Sequence, residues 1–393
     1  MNRNVWMLSV CQALLMTGNI LLISVIGLVG KQLAPSANMI TLPVAMQFLG
    51  LMCATIPASL IMGQLGRKKG FSIGNLIGIT GASTVAYALS NQWFTLFCIG
   101  SFLLGIGIGF GTLYRFAAIE VCRPEMRDRA ISISMVGGVF AAILGPNLAV
   151  LSVELSDDGL YTSAFLALVA LNVLALLLLQ FIQFPPAPEK HSQPVSDPIK
   201  SIVSQPNFLV AVFAAMVSYA VMNILMTATP LAMIGCGFDF HKAAGVIEWH
   251  VLGMFVPAFF TGKLIEKFGA RWMILTGGLL FVLCVLINIH GQSIWHFRSA
   301  LVLLGVGWNF MFIAATSLFS RSYSENNRPK AQAFNEFVVF SCVTITALLS
   351  GWLEATVGWE SLNIYVLPFV LAVMAIFAVS VYRQYKSEQE VQV

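Results

Sequence analysis

The sequence predicts an all-α membrane protein of twelve transmembrane helices in two pseudo-symmetric six-helix halves, and three observations predict it. Of 393 residues, 58% are hydrophobic and 10% charged, with a mean hydropathy of +0.85. A soluble domain carries roughly 25% charged residues, so this composition has too little polar surface to face water. Apolar runs long enough to cross a bilayer, about 20 residues each, recur twelve times. Glycine patterns of the first half also return in the second, 200 to 203 residues later.

The first six spans fall near 5–29, 39–65, 71–89, 93–121, 130–151 and 160–184, and the second six near 207–234, 243–265, 272–289, 294–319, 334–353 and 361–382. The first run follows Arg3 without a small-residue cleavage site and is read as a retained helix, not a signal peptide. Pro185-Pro186-Ala187-Pro188 opens a polar, proline-rich stretch to Pro206, read as a linker. The expected domains are therefore a six-helix bundle over 1–184, a linker over 185–206, a second bundle over 207–382 and a tail over 383–393.

Alternate loops divide the basic residues seventeen to three, with Arg115 left inside span 4. Cytoplasmic loops hold the excess of Lys and Arg, so the linker and both termini are expected in the cytoplasm of a bacterial inner-membrane protein. The seven cysteines, Cys122 among them, contain no C-x-x-C pair, which excludes a disulfide framework and a zinc site. A net charge of +4 sorted by membrane side gives no nucleic-acid surface. No nucleophile and base pair appears in the spans, so the chain is not expected to be an enzyme.

The GIGIGFG run, Gly105 to Gly111, lies in the middle of span 4 with no strand before it. It is read as close helix packing rather than a nucleotide loop. Gly105-Ile106-Gly107 with Phe110 recurs as Gly305-Val306-Gly307 with Phe310, and Gly66 with Arg67 after span 2 is matched by Gly269 with Arg271 after span 8. The loop Gly262-Lys263-Leu264-Ile265-Glu266-Lys267-Phe268-Gly269-Ala270-Arg271 resembles the glycine-x-leucine-x-acid-basic-x-glycine signature of the major facilitator superfamily. After span 2 the pattern is degraded, with Gly63 and Gln64 in place of the acid and the arginine. The resemblance implies two parallel repeats that alternate between states. It assigns gating to Gly262, Glu266, Gly269 and Arg271, with Arg127 or Arg129 as the partner of Glu266.

Ionisable groups inside the spans are few: Arg115, Glu120, Glu336, Glu248 and His250. None is a carboxylate at mid-depth, so proton coupling has no evident carrier. His250 is followed one turn later by Met254, and span 7 carries Met222 and Met226 at the same spacing. Spans 7 and 8 form a hairpin centred near Phe238, which puts Met226 level with His250 and Met222 level with Met254. Thioethers and a neutral imidazole suit a soft cation such as Cu(I). Spacing alone is equally met by three packed methionines and a hydrogen-bonded core histidine.

The M-x-x-x-M of span 7 and the H-x-x-x-M of span 8 resemble the CcoA-type copper importers, the CalT family. That resemblance implies import of copper for cbb3-type cytochrome oxidase assembly, with Met222, Met226, His250 and Met254 as ligands and Cys236 as a capture ligand. It implies no cofactor, copper as substrate, the lipid bilayer as the surrounding partner, and a monomer. The outer loops, with Glu154, Asp157, Asp158, Asp239, Glu354 and Glu360, would attract cations modestly. The alternative is a small organic solute such as riboflavin, which the same wider superfamily also carries.

Overall fold

A computed structural model of the chain describes residues 3–114, 117, 121, 127–155, 161–184, 197–324 and 327–391, with the side chains of 127–136, 328–329 and 384–391 left out. Arg115, Glu120, Cys122, Asp157, Asp158, the linker residues 185–196 and the side chains of Arg127 and Arg129 therefore lie outside the described residues. The described residues form helices α1 (Arg3–Leu33), α2 (Leu42–Leu65), α3 (Arg67–Ser90), α4 (Phe94–Gly111), α5 (Arg127–Glu154) and α6 (Thr162–Gln180). After a short helix at Ile199–Val203 come α7 (Pro206–Gly235), α8 (Phe240–Phe255), α9 (Ala258–Phe268), α10 (Ala270–His290), α11 (Ile294–Ser320) and α12 (Arg328–Val391). No strand occurs among the described residues.

Ten of the described helical segments are long and apolar enough to cross a membrane. An eleventh crossing is the pair α8 and α9, bent by 42°. Pro257 sits at that bend, where its missing N–H and its ring interrupt the helical ladder. The hydroxyl oxygen of Thr261 lies 2.8 Å from the Pro257 carbonyl oxygen, one turn on from the bend. Helix α12 has 64 residues and would run about 96 Å if straight, over twice the thickness of a bilayer. Gly358, at φ 80° and ψ 169°, breaks it into two crossings and completes the twelve.

The chain packs as two compact units. The first contains residues 1–193 together with 227–248 and 344–356, and the second contains 194–226, 249–343 and 357–393. The units therefore cut through α7, α8 and α12 instead of following the sequence halves. One core of the first unit joins Leu8, Ala58, Met62, Phe71, Phe110 and Tyr114, with the Phe71 and Tyr114 rings stacked at 4.1 Å. In the second, Ile202, Phe208, Val212, Phe319 and Ala331 close a core that ties the short helix to α7, α11 and α12.

Candidate functional site

Internal repetition organises both units at the level of single contacts. Gly66 and Gly269 follow α2 and α9 with φ 85° and 86° and ψ 159° and 148°, a region open essentially to glycine alone. Each N–H caps the preceding helix, onto Met62 O and Ile265 O respectively. In the first unit a Cβ on Gly105 would lie 1.9 Å from the Gln47 carbonyl oxygen. In the second a Cβ on Gly305 would lie 2.3 Å from the His250 carbonyl oxygen. Gln47 and His250 are offset by 203 residues, like Gly66 and Gly269, so they are repeat equivalents. The remaining glycines of the GIGIGFG run also meet neighbouring helices, Gly107 at Gly74, Gly109 at Ala54 and Gly111 at Leu15, which is the helix-packing role expected of them.

His250 is fully buried, and its Nδ1 lies 2.8 Å from the Leu301 carbonyl oxygen. Because a carbonyl only accepts, Nδ1 carries the proton and donates to α11. Nε2 is left as a buried acceptor without a partner among the described residues. One turn on, the Met254 carbonyl accepts from Asn309 Nδ2 at 2.6 Å, and the Asn309 side-chain oxygen accepts from Thr261 Oγ1 at 2.6 Å. The bent α8–α9 crossing is thus tied to α11 by backbone and amide bonds. Met222 and Met226 are buried in α7 and Met254 is half-buried. Equal height in the α7–α8 hairpin leaves rotation about each helix undetermined, and the hydrogen bond of His250 is to α11.

Cys236 lies exposed just beyond α7. Partial burial, then the Glu354 charge, push its thiol above the ordinary range, which disfavours the thiolate a metal needs. Two of the outer acids already have partners: Asp239 lies 3.4 Å from the Lys242 ammonium and accepts the Lys242 backbone N–H at 2.8 Å, and Glu154 lies 3.6 Å from the His241 imidazole. The backbone N–H of Lys242 holds the Asp239 carboxyl below the usual range.

In the signature loop, Gly262 and Glu266 are exposed, and Glu266 makes no ion pair within the described residues. Arg271 is half-buried at the start of α10. At the opposite ends of the helices, within the first unit, Thr41 Oγ1 donates to Leu348 O at 2.9 Å and accepts from Gly351 N at 3.3 Å. Asn147 donates to Glu248 at 3.2 Å, and the rings of Tyr161 and Phe240 lie 5.4 Å apart.

One cluster escaped the sequence reading. In the second unit Tyr219 meets Trp308 at 5.6 Å, Phe312 at 5.5 Å and Phe340 at 5.8 Å, all edge to face. Trp308 and Phe312 stack at 5.0 Å with planes 10° apart. Each of the four residues is half-buried, and Trp308 Nε1–H has no acceptor among the described residues. Only the i, i+4 spacing of Trp308 and Phe312 was available as a signal; the other two rings come from different helices. In the first unit, a gap lined by Asn19, Asn75 and Asn172 is already spoken for. Those amides bond to Gln47, to the Tyr114 hydroxyl and to the Leu168 carbonyl.

A fold of twelve crossings with repeated glycine contacts and a capped loop after the second crossing of each repeat defines a secondary transporter. The Major Facilitator Superfamily profile matches residues 8–255 and 246–392, and the chain belongs to that family. It is 38% identical over 95% of its length to the riboflavin transporter RfnT of Brucella anthropi, covering 94% of that protein. It is 28% identical to the MFS-type transporter YdeG of Bacillus subtilis, over 87% of this chain and 83% of that one. Its fold matches the crystal structure of a D-xylose-proton symporter with TM-score 0.75 at 15% identity, covering 94% of this chain and 96% of the symporter. Transporters of this family are not enzymes and need no cofactor.

The expectation of copper import is overturned by the likeness to RfnT, which spans nearly the whole chain, whereas the copper resemblance rested on two four-residue spacings. The His250 bond to the α11 backbone fixes the tautomer and leaves the Nε2 lone pair open, so the correction of the cargo rests on the relative and not on this side chain.

Proposed function

We propose that the chain carries riboflavin or a closely related flavin across the bacterial inner membrane by alternating access. The observation that carries this is the 38% identity to RfnT over 95% of the chain. The scarcity of ionisable groups in the spans agrees with a neutral, largely aromatic cargo. The loop of Gly262, Glu266, Gly269 and Arg271 is assigned to the change of state. There the left-handed Gly269 fixes the turn between α9 and α10, and Glu266 is free to meet a partner in another conformation. The two halves 1–184 and 207–382 act as the repeats.

In a riboflavin-auxotrophic bacterium lacking its own transporter, the protein is expected to restore growth at micromolar riboflavin and uptake of labelled riboflavin, leaving cell copper unchanged. Membrane-inserted protein that restores neither would refute the reading.

The sidedness follows from the charge sorting, with linker and termini cytoplasmic. In a variant retaining Cys236 alone among the seven cysteines, a membrane-impermeant maleimide added to intact cells is expected to label it. The raised thiol pKa gives the sign of the pH effect: the thiolate fraction is small at pH 7, so labelling speeds up as pH rises toward 9. Labelling only after cells are opened would reverse the topology.

A further inference from the structure

We propose that Tyr219, Trp308, Phe312 and Phe340 form the subsite that holds the planar ring system of the cargo, an inference that rests on the flavin reading above. The first ground is depth. Tyr219 in α7, Trp308 in α11 and Phe340 in the 328–357 part of α12 each lie within about 4 Å of the midpoint of their helix, at ~1.5 Å per residue. Phe312 lies one turn along α11 from Trp308. Three helices thus bring aromatic rings to one level near the bilayer midplane, where transporters of this architecture hold their cargo.

The second ground is the chemistry of the surface. All four residues are half-buried, so the cluster is not sealed inside a core. The parallel Trp308–Phe312 pair and the edge-on Tyr219 offer both a face and edges to a flat heterocycle, and stacking on such faces tolerates any π-system of suitable size. The third ground is the Trp308 indole N–H. It has no acceptor among the described residues, and a donor left so is unfavourable until a neighbouring group supplies one. The isoalloxazine edge, with two carbonyl oxygens and two unprotonated ring nitrogens, supplies several acceptors. A sugar alcohol or an aliphatic acid would satisfy the donor but leave the rings unused.

Purified full-length protein in nanodiscs is titrated with riboflavin, with lumichrome (an alloxazine with the same three fused rings and no ribityl chain) and with ribitol, following flavin fluorescence and, for ribitol, competition. Riboflavin and lumichrome are expected to bind with quenching, since an indole or phenol in contact quenches an excited flavin, and ribitol is expected not to compete. Phe312→Leu keeps apolar volume and removes the π-face, and Trp308→Phe keeps a ring and removes the N–H. Each is expected to weaken riboflavin about tenfold or more. Trp308→Phe should also reduce quenching in the bound state, which a merely structural effect on affinity would leave intact. Riboflavin binding that is tight and quenched equally in wild type and both variants would overturn the subsite while the flavin reading stood. Wild-type protein that binds no flavin would overturn both.

Discussion

Alanine at Gly305 is expected to destabilise the protein by about 2–4 kcal/mol, and alanine at Gly105 by a similar amount. A Cβ at 305 would stand 2.3 Å from the His250 carbonyl oxygen and 2.9 Å from the Met254 nitrogen. Both are backbone atoms, which no rotamer change can move aside. Helix α11 must therefore separate from α8, and overpacking of that kind costs roughly 1–3 kcal/mol. The same shift lengthens the His250–Leu301 and Asn309–Met254 bonds, interhelical bonds worth about 0.6 kcal/mol each on average in a membrane. At Gly105 the clash is with Gln47, in the equivalent place of the other repeat, at 1.9 Å. Gly245 is the control: it lies within α8 with nothing within 4 Å of its built Cβ, so alanine there should be neutral or stabilising by up to about 1 kcal/mol through helix propensity. Unfolding in detergent, monitored by heat or denaturant, checks all three. Gly305→Ala as stable as wild type would show that the two helices are not held at the spacing described.

This contact explains what the sequence discloses and what it hides. Gly105 and Gly305 are legible as repeats, and GIGIGFG as packing, because glycine at close helix crossings leaves a pattern along one helix. The offset of 203 residues that pairs Gly66 with Gly269 also pairs Gln47 with His250. Applied to His250, it would have pointed to a position that packs under a glycine in both halves. Heights along a hairpin follow from residue counts, whereas the direction of a side chain around its helix depends on what the helix packs against. The His250 imidazole turns to Leu301, 51 residues away, and no local spacing encodes that choice. The aromatic cluster is hidden for the same reason: Tyr219, Trp308 and Phe340 meet only once three helices have assembled. Two short methionine and histidine spacings in a chain with 17 methionines weigh little against identity that runs through 375 aligned residues.

Leucine at Gly351 is expected to lower transport tenfold or more while leaving riboflavin affinity in detergent within about threefold. A Cβ at 351 would lie 2.6 Å from Thr41 Cγ2 and 3.1 Å from its Oγ1, so even the first atom of a side chain meets the start of α2. Thr41 is fully buried there, and its hydroxyl both donates to Leu348 O and accepts from Gly351 N. A transporter that alternates must form and break such end contacts in each cycle. Neither Gly351 nor Thr41 is among the four ring-bearing residues proposed above, so a wedge at 351 is expected to act on closure and not on the rings. Thr41→Val keeps the shape and removes the hydroxyl. That leaves the Leu348 carbonyl and the Gly351 N–H without this partner, at roughly 1–3 kcal/mol for a buried group. Its transport defect should accordingly lie between wild type and Gly351→Leu. Uptake rates set beside binding constants for the same variants decide the point: normal uptake by Gly351→Leu, or loss of binding in proportion to loss of uptake, would remove the 41–351 contact from the transport cycle.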